Sequence, residues 1–299
     1  MRVHVIATGG TIASTADGAE MGAAPALSGD DLVEAVPNLE EHADITVETV
    51  ADRPGFDMSP AVCGRVARRI RELGDEVDGF VVTHGTDTLA ETARYLDLTC
   101  GAPVVVTGAQ RRPDEAGSDG PTNLLTAVRA VAHERLSGGT FVAFDEELHT
   151  AATARKAHTC ALNAFRSPEA GPVARFTRRH VHWYRRPSDG DGRLPIPDDH
   201  PTVPLVVVIV GTGLGNTTSA LGGAIADAEC PVVVASRCHA GPTEPVYGTP
   251  GGGATLAGHD HVRFAHGTPW AARVELLLAV AAGRVDERFD AFPVPSGEI

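Results

Sequence analysis

Two threonines, an aspartate and a lysine in this chain could together form a nucleophilic set. Thr11 lies in a glycine-rich turn, and Thr86 and Asp87 are neighbours in a polar turn. A threonine hydroxyl is a poor nucleophile until a base removes its proton, and a lysine that is partly shielded from water can be that base. A nearby carboxylate can orient the lysine or hold the ammonium group of a substrate. Thr11, Thr86, Asp87 and Lys156 are therefore the predicted catalytic residues.

The composition draws attention to Lys156 independently. Lys and Arg together number 25, and Lys156 is the only lysine among them. An amine can release its proton near neutral pH, whereas a guanidinium cannot. In a protein that otherwise uses arginine, we interpret this residue as one kept for proton transfer and not as an ordinary surface lysine.

A strand and a helix are predicted to hold the turn that carries Thr86. Residues 80–82 are a short apolar run, typical of a buried parallel strand. A helical pattern starts after the turn, with Thr86, Asp87 or Thr88 able to cap it and Glu91 placed to complete a capping box with Thr88. Open α/β sheets bind ligands at this edge, and the helix dipole there favours an anion or a developing oxyanion.

Thr11 is predicted to occupy a similar position. Residues 2–7 are a strand, and the turn at 8–13 contains adjacent glycines, Gly9 and Gly10, which allow close backbone approach or positive φ. Residues 14–26 are small and polar without periodicity, which predicts a mobile surface loop of the kind that often acts as a lid.

The alternation of strand, turn and helix predicts an α/β fold. We expect a larger N-terminal domain with a doubly wound, mainly parallel sheet at 1–186, a linker rich in Pro, Gly and Asp at 187–203, and a smaller C-terminal α/β domain at 204–299. The other predicted strands are 45–50, 79–83, 103–107, 140–144, 205–210 and 231–235, and the predicted helices are 28–36, 60–73, 86–98, 119–133, 217–228 and 270–282.

Charge and composition exclude several classes of protein. The formal charge is −14 and basic residues form no run, so we expect no nucleic-acid partner. Apolar runs such as 205–210 are too short for a membrane span, and the N-terminus lacks the pattern of a signal peptide. The five cysteines are widely spaced with no C-x-x-C pair, which indicates reduced thiols and a cytoplasmic location.

Neither a metal nor a cofactor is expected. The histidine pairs at 180 and 182 and at 259 and 261 lack further placed ligands, so we interpret them as solvated loops. The segment 211–216 follows an apolar strand as a dinucleotide-binding fingerprint would, but its last position is Asn216 and not Gly or Ala. His84 is interpreted as a buried, hydrogen-bonded scaffold residue and not as a base.

Two motifs in the chain resemble the signature motifs of the bacterial-type L-asparaginase/glutaminase family. They are Ala7-Thr8-Gly9-Gly10-Thr11-Ile12-Ala13 and Val82-Thr83-His84-Gly85-Thr86-Asp87-Thr88. The segments 107–111 and 213–216 are similar to two further elements of the family, and Lys156 falls where the family has its active-site lysine. The resemblance covers almost the whole chain.

This resemblance implies a role for each matching residue. Thr11 would attack the side-chain amide carbon of L-asparagine, release ammonia and form a β-aspartyl ester that water then cleaves. Thr86 would position the water or relay a proton to Lys156, and Asp87 would also bind the α-ammonium group of the substrate. Spacing alone leaves open which threonine reacts first; the resemblance favours Thr11.

Further residues are implied as substrate contacts. Gly10, Gly85 and Ala109 would contribute backbone groups, and Asn216 would lie near the site of a neighbouring subunit. The resemblance therefore implies a homodimer or homotetramer whose sites are completed across subunits, with a small-molecule substrate, possible glutaminase side activity and no cofactor.

The chain departs from the family pattern at two places. Many members have Ser-Gln before an aspartate, contacting the substrate's carboxylate and amine, whereas this chain has Gly55-Phe56 before Asp57. The N–H of Gly55 could still bind substrate, so positions 55 and 56 remain predicted substrate contacts. The family's loop tyrosine also has no counterpart, since residues 21–24 occupy that region. Both changes bear on substrate choice and efficiency more than on reaction class.

Two alternative functions share these motifs. The first is the amide-hydrolysing subunit of a tRNA-dependent amidotransferase, which usually has an extra N-terminal domain that we expect this chain to lack. The second is a sensor that binds Asn or Asp without turnover; the presence of Thr11, Thr86, Asp87 and Lys156 argues against it. Ammonia release by the purified chain alone would distinguish the three.

Overall fold

The described part of the chain forms two units. The computed structural model describes residues 1–16, 24–187, 193–198 and 206–289. The first unit is Met1–Ile196 and the second is Pro197–Ile299, so the division falls within the predicted linker, of which residues 188–192 and 199–203 lie outside the described residues. Leu194 is buried, and its N–H donates to the carbonyl oxygen of Leu98 at 2.6 Å, which attaches the end of the first unit to its own core.

The first unit is built on one large sheet. Its strands are β1 (Arg2–Ala7), β2 (Ser14–Thr15), β3 (Ala24–Pro25), β4 (Asp44–Thr49), β5 (Gly79–Thr83), β6 (Val104–Thr107), β7 (Thr140–Phe144), β8 (Glu147–Thr150), β9 (Arg155–Lys156), β10 (Phe165–Arg166), β11 (Ala174–Phe176) and β12 (Val181–Trp183). Within the described residues, eight of them form a sheet in the order β12-β11-β8-β7-β6-β5-β1-β4. The helices are α1 (Gly29–Glu34), α2 (Pro60–Leu73), α3 (Leu89–Thr99) and α4 (Gly120–Val131).

The parallel part of this sheet confirms the predicted fold class. β4, β1, β5, β6 and β7 run parallel, and every residue of β5, β6 and β7 is buried. Buried apolar runs of this kind are typical of a parallel sheet covered on both faces.

The antiparallel strands β8, β11 and β12 were not predicted from the sequence. β8 returns along β7 through a tight turn at Asp145 and Glu146, which have φ of 49° and 63°. Such hairpin turns usually contain Gly or Asn, so this turn gave no recognisable signal.

The helix after β5 begins later than predicted, and the predicted capping box is wrong. α3 starts at Leu89, so Thr86 and Asp87 lie in the preceding turn, and the Thr88 side chain makes no capping hydrogen bond. The Thr88 hydroxyl instead donates to the carbonyl oxygen of Gly55 at 2.6 Å. The hydroxyl that was predicted to cap the helix is therefore used in a tertiary contact. By contrast, Ser28 caps α1 in a complete capping box with Asp31.

The second unit contains a small parallel sheet. Its described strands are β13 (Val207–Gly211), β14 (Val232–Ser236) and β15 (Val262–Phe264), in the order β13-β14-β15. Its helices are α5 (Ser219–Ala226), α6 (Gly253–Ala257), α7 (Pro269–Ala282) and α8 (Val285–Arg288). Three elements of this unit, β15, α6 and α8, were not predicted from the sequence because they are three to five residues long and too short for a clear hydrophobic period. Among the described residues, no helix combines the length and apolar character needed to cross a membrane.

The predicted loop 14–26 is described only in part. Residues 17–23, which include most of the region where the family has its loop tyrosine, lie outside the described residues. At either end of that gap, β2 and β3 pair antiparallel, with Ser14 opposite Pro25. The N–H of Ala16 donates to a carboxylate oxygen of Asp114 at 3.0 Å, and this bond with that from Arg112 lowers the pKa of Asp114 below its ordinary value.

Candidate active site

Three neighbouring strands end at the same level of the large sheet. Ala7 of β1 is in register with Thr83 of β5, and Thr83 is in register with Thr107 of β6. Because the strands are parallel, the turns that follow them start side by side at the carboxyl edge. This is the edge at which the sequence predicts a ligand site.

Glycine backbones bring two of these turns into contact with each other and with a third segment. A Cβ atom on Gly10 would lie 2.3 Å from the amide nitrogen of Gly85. One on Gly55 would lie 2.8 Å from the carbonyl carbon and oxygen of Gly85. Gly10 has φ of 85°, a conformation that residues with a side chain rarely adopt. The three predicted backbone contacts Gly10, Gly55 and Gly85 therefore form one packed group.

This glycine contact positions both predicted threonines. Thr11 follows Gly10 directly and is the first residue of a 3₁₀ turn, Thr11–Ala13, where it is half-buried. Thr86 follows Gly85 and is 5% exposed. The two hydroxyl-bearing residues thus extend from backbone segments that touch.

Lys156 contacts the second turn although it lies 70 residues from Thr86 in the chain. Its Nζ donates to Thr86 Oγ1 at 2.9 Å and to Asp87 Oδ1 at 2.9 Å. The lysine side chain is 19% exposed, whereas that of Asp87 is 52% exposed. A shielded amine therefore joins a buried hydroxyl to a carboxylate that is open to solvent.

The turn after β6, at residues 108–111, is held by residues that were not predicted to belong to the site. Asn123 donates from Nδ2 to the carbonyl oxygen of Gly108 at 2.9 Å, and the Asp119 carboxylate accepts from the N–H groups of Gln110 and Arg111. Ala109, a predicted substrate contact, is fully buried. The only sequence signal was that Asp119 opens a helix, which did not show that its carboxylate would fix the turn before it.

His84 is confirmed as a buried scaffold residue. Its Nδ1 donates to the carbonyl oxygen of Gly85 at 2.7 Å, and its Nε2 accepts from the Thr92 hydroxyl at 2.8 Å. Complete burial lowers the pKa of His84 from 6.5 to about 4, so the ring is neutral at pH 7. The imidazole therefore ties the turn to α3, with both ring nitrogens already engaged.

The two predicted substrate contacts at 55 and 56 differ in their surroundings. Gly55 is buried against Gly85, whereas Phe56 is 76% exposed. Beside them, Arg53 donates to the Asp57 carboxylate at 2.8 Å, and a Cβ atom on Gly9 would lie 2.5 Å from the Arg53 amide nitrogen. This segment therefore packs against the first turn as well as the second.

Asn216 belongs to the second unit. Its side-chain Oδ1 accepts from the N–H of Gly253 at 3.0 Å, and its backbone pairs with Thr212 to close the turn 212–216. The helix that follows begins only at Ser219, so this turn does not lead directly into a helix as a dinucleotide-binding turn would.

The described residues contain no cluster of three or more His, Cys, Asp or Glu side chains that could hold a metal ion. What the first unit does contain is a half-buried threonine, a second threonine bonded to an amine, a carboxylate and backbone turns at one sheet edge. Such a set can support attack of a hydroxyl on a carbonyl carbon, with proton transfer through the amine and stabilisation of an oxyanion by backbone N–H groups.

Comparison with known proteins gives consistent matches along the chain. The family models described as "Asparaginase, N-terminal" and "Glutaminase/Asparaginase C-terminal domain" match residues 2–189 and 205–292. A probable L-asparaginase of Deinococcus radiodurans is 35% identical over 315 residues, which covers 96% of each chain. A probable periplasmic L-asparaginase of Haemophilus influenzae is 40% identical over 190 residues, or 62% of this chain and 54% of that protein. The crystal structure of a probable cytoplasmic L-asparaginase from Campylobacter jejuni has a TM-score of 0.81 and 29% identity, covering 93% of this chain and 94% of that one.

Proposed function

The chain belongs to the asparaginase family of enzymes, and on that basis we propose that it hydrolyses the side-chain amide of L-asparagine to L-aspartate and ammonia. The observation that carries the proposal is the amine of Lys156, which lies 2.9 Å from both Thr86 Oγ1 and Asp87 Oδ1. These atoms come from two segments far apart in sequence, and their contact gives the proton-transfer group that threonine chemistry requires.

The first half-reaction forms an ester on Thr11. The Thr11 hydroxyl oxygen attacks the amide carbon, and its proton passes to a basic group of the site. Backbone N–H groups of the glycine turns stabilise the oxyanion that develops. The carbon–nitrogen bond then breaks, the nitrogen takes up a proton and leaves as ammonia, and the β-aspartyl ester remains on Thr11.

The second half-reaction cleaves this ester with water. Thr86 positions the water or relays its proton to Lys156, and the hydroxide equivalent adds to the ester carbon. The Thr11 oxygen leaves with a proton, which restores the free hydroxyl and releases L-aspartate. The burial of Thr86 supports this role because it limits the positions from which its hydroxyl can act.

Substrate recognition is assigned to the same edge of the sheet. The exposed Asp87 carboxylate binds the α-ammonium group, and the backbone groups of Gly10, Gly55, Gly85 and Ala109 contact the rest of the molecule. Phe56 contributes only an apolar surface there, since its ring forms no hydrogen bond with a carboxylate. L-Glutamine is a slower substrate of the same site.

The assembly is proposed to be a homodimer or homotetramer in the cytoplasm. Asn216 then acts near the site of a neighbouring subunit. The exposure of apolar side chains on β13 and α5, among them Val207, Val210 and Leu221, supports a subunit interface in the second unit. No disulfide joins any of the five cysteines, all of which lie in the described residues, and this fits a reducing compartment.

The test is ammonia release by the purified chain. We expect turnover of L-asparagine without any added protein or RNA, with slower turnover of L-glutamine and of D-asparagine. Size-exclusion chromatography with light scattering reports the assembly in the same preparation. Turnover that depends on an added tRNA-binding partner, or binding of L-asparagine without ammonia release, would contradict the proposal.

A further inference from the structure

A buried chain of polar side chains connects the lysine-bearing hairpin to the large sheet. Lys156 lies on β9, which pairs with β10 so that Lys156 is opposite Phe165. Ser167 follows β10 directly, and Thr153 lies three residues before Lys156. The Thr153 hydroxyl donates to Ser167 Oγ at 2.9 Å. This hydrogen bond therefore links the segment before β9 to the residue after β10.

The Ser167 hydroxyl is bonded to a histidine on β8. Ser167 Oγ lies 3.0 Å from Nδ1 of His149, and His149 is 1% exposed. Burial is the main cause that lowers the pKa of His149 to about 4, helped by the nearby charges of Arg166 and Arg185, so its ring is neutral at pH 7. A neutral ring accepts at one nitrogen, and Ser167, whose oxygen accepts from Thr153, has its own proton free to donate to Nδ1.

The other end of the histidine faces a carboxylate on the same strand. Its Nε2 lies 3.6 Å from Glu147 Oε2, slightly too far for a hydrogen bond. Residues 147 and 149 share one face of β8 because side chains alternate along a strand. Glu147 also lies 3.8 Å from Arg166 of β10 and 3.6 Å from Arg175 of β11, so its carboxylate lies between the hairpin and the edge of the large sheet.

We propose that His149 is a positioning residue for Lys156, acting through Ser167 and Thr153 to hold the β9–β10 hairpin so that the amine stays within reach of Thr86. This inference rests on the proposed function, in which His149 has no assigned role. β9 and β10 have only two residues each, so their own ladder is a weak support. The hydrogen bonds from Thr153 to Ser167 and from Ser167 to His149 add the support that holds the hairpin against β8.

The test compares kcat and KM for L-asparagine among single variants. In Ser167→Ala and His149→Phe, kcat falls by about tenfold or more while KM changes little, because the misplaced group acts in proton transfer and not in binding. His149→Asn places an amide near the Nδ1 position and retains most of the activity. His4 provides the matched control, since its Nδ1 also lies 2.7 Å from a threonine hydroxyl, that of Thr46 on β4; His4→Phe keeps kcat.

A second background separates positioning from general damage to the fold. If His149 acts through Lys156, Ser167→Ala lowers kcat in the native chain but has little further effect in Lys156→Met, since coupled residues are not additive. An equal loss in both backgrounds, or unchanged kcat in Ser167→Ala, overturns the inference while leaving the proposed function intact. A native chain that releases no ammonia overturns the proposed function, and the inference with it.

Discussion

A single methyl group at Gly85 is expected to separate the two turns that carry Thr11 and Thr86. The Cβ atom of Gly85→Ala would lie 2.4 Å from the amide nitrogen of Gly55 and 2.6 Å from its Cα, whereas ordinary contact begins near 3.4 Å. The backbones must therefore move apart by about 1 Å. Gly85 does not have a positive φ, so alanine can adopt its backbone conformation. The expected effect therefore comes from steric overlap of the added methyl group alone.

This displacement should lower the catalytic rate more than it lowers the stability of the fold. A misplacement of about 1 Å can cost on the order of a hundredfold in rate, and overpacking a well-packed region costs about 1–3 kcal/mol of unfolding free energy. We expect kcat/KM for L-asparagine to fall by about a hundredfold in Gly85→Ala, with a cooperative thermal transition at a moderately lower temperature.

The assay is steady-state ammonia release, with circular dichroism to establish that the variant is folded. Gly74→Ala is the control, because a Cβ there meets only ordinary contacts of 3.4 and 3.5 Å at the end of α2. Native kcat/KM in a folded Gly85→Ala protein would refute the view that the glycine contact sets the geometry.

The same reasoning applies to Gly55→Ser, which introduces the side chain that many family members have at this position. Its Cβ atom would lie 2.8 Å from the Gly85 carbonyl group, so in this chain we expect the serine to lower kcat/KM and not to raise it. An increase would mean that the lost hydrogen bond matters more than the close approach.

Three further predictions concern proton transfer, a buried ion pair and acid stability. Lys156→Met should lower kcat by about a hundredfold or more, as for removal of a proton-transfer group, and unchanged turnover would show that its role is misassigned. Asp97→Asn removes the carboxylate 2.9 Å from Arg94, both buried, and should cost about 3–5 kcal/mol in urea unfolding, whereas Glu72→Gln on the surface should cost less than about 1. The unfolding free energy should fall as the pH is lowered from 6.5 toward 4, because unfolded His84 binds a proton that the folded residue, with its pKa of about 4, does not; equal urea midpoints at pH 7 and 5 would contradict this.

Local patterns in the sequence were sufficient for the parallel core and for the turns at its edge. The fully buried runs of β5 and β6 carry no alternation, and each is followed directly by polar or glycine residues, so both the strands and their ends are visible in the chain. The family was likewise predicted from two short motifs, and the matches at 2–189 and 205–292 confirm it. The catalytic roles of the individual residues stay predictions.

Features that depend on a distant partner could not be predicted. The Thr88 hydroxyl was expected to cap its own helix but bonds to Gly55, 33 residues away. Asn123 and Asp119 were unremarkable polar residues until the fold brought them to the turn at Gly108. When a side chain has several possible hydrogen-bond partners, the partner that it binds is decided only when the backbone has folded.

The sequence by itself determined which residues can act as nucleophile, base and carboxylate, because those properties belong to the side chains and to the strand ends that carry them. Only the tertiary structure decided that Lys156 meets Thr86 and Asp87 at 2.9 Å and that Gly10, Gly55 and Gly85 touch. The physical reason is the distance along the chain over which each determinant acts. Propensity and periodicity act over a few residues, whereas these contacts join segments that meet only when the parallel strands have aligned their carboxyl ends and the sheet is packed.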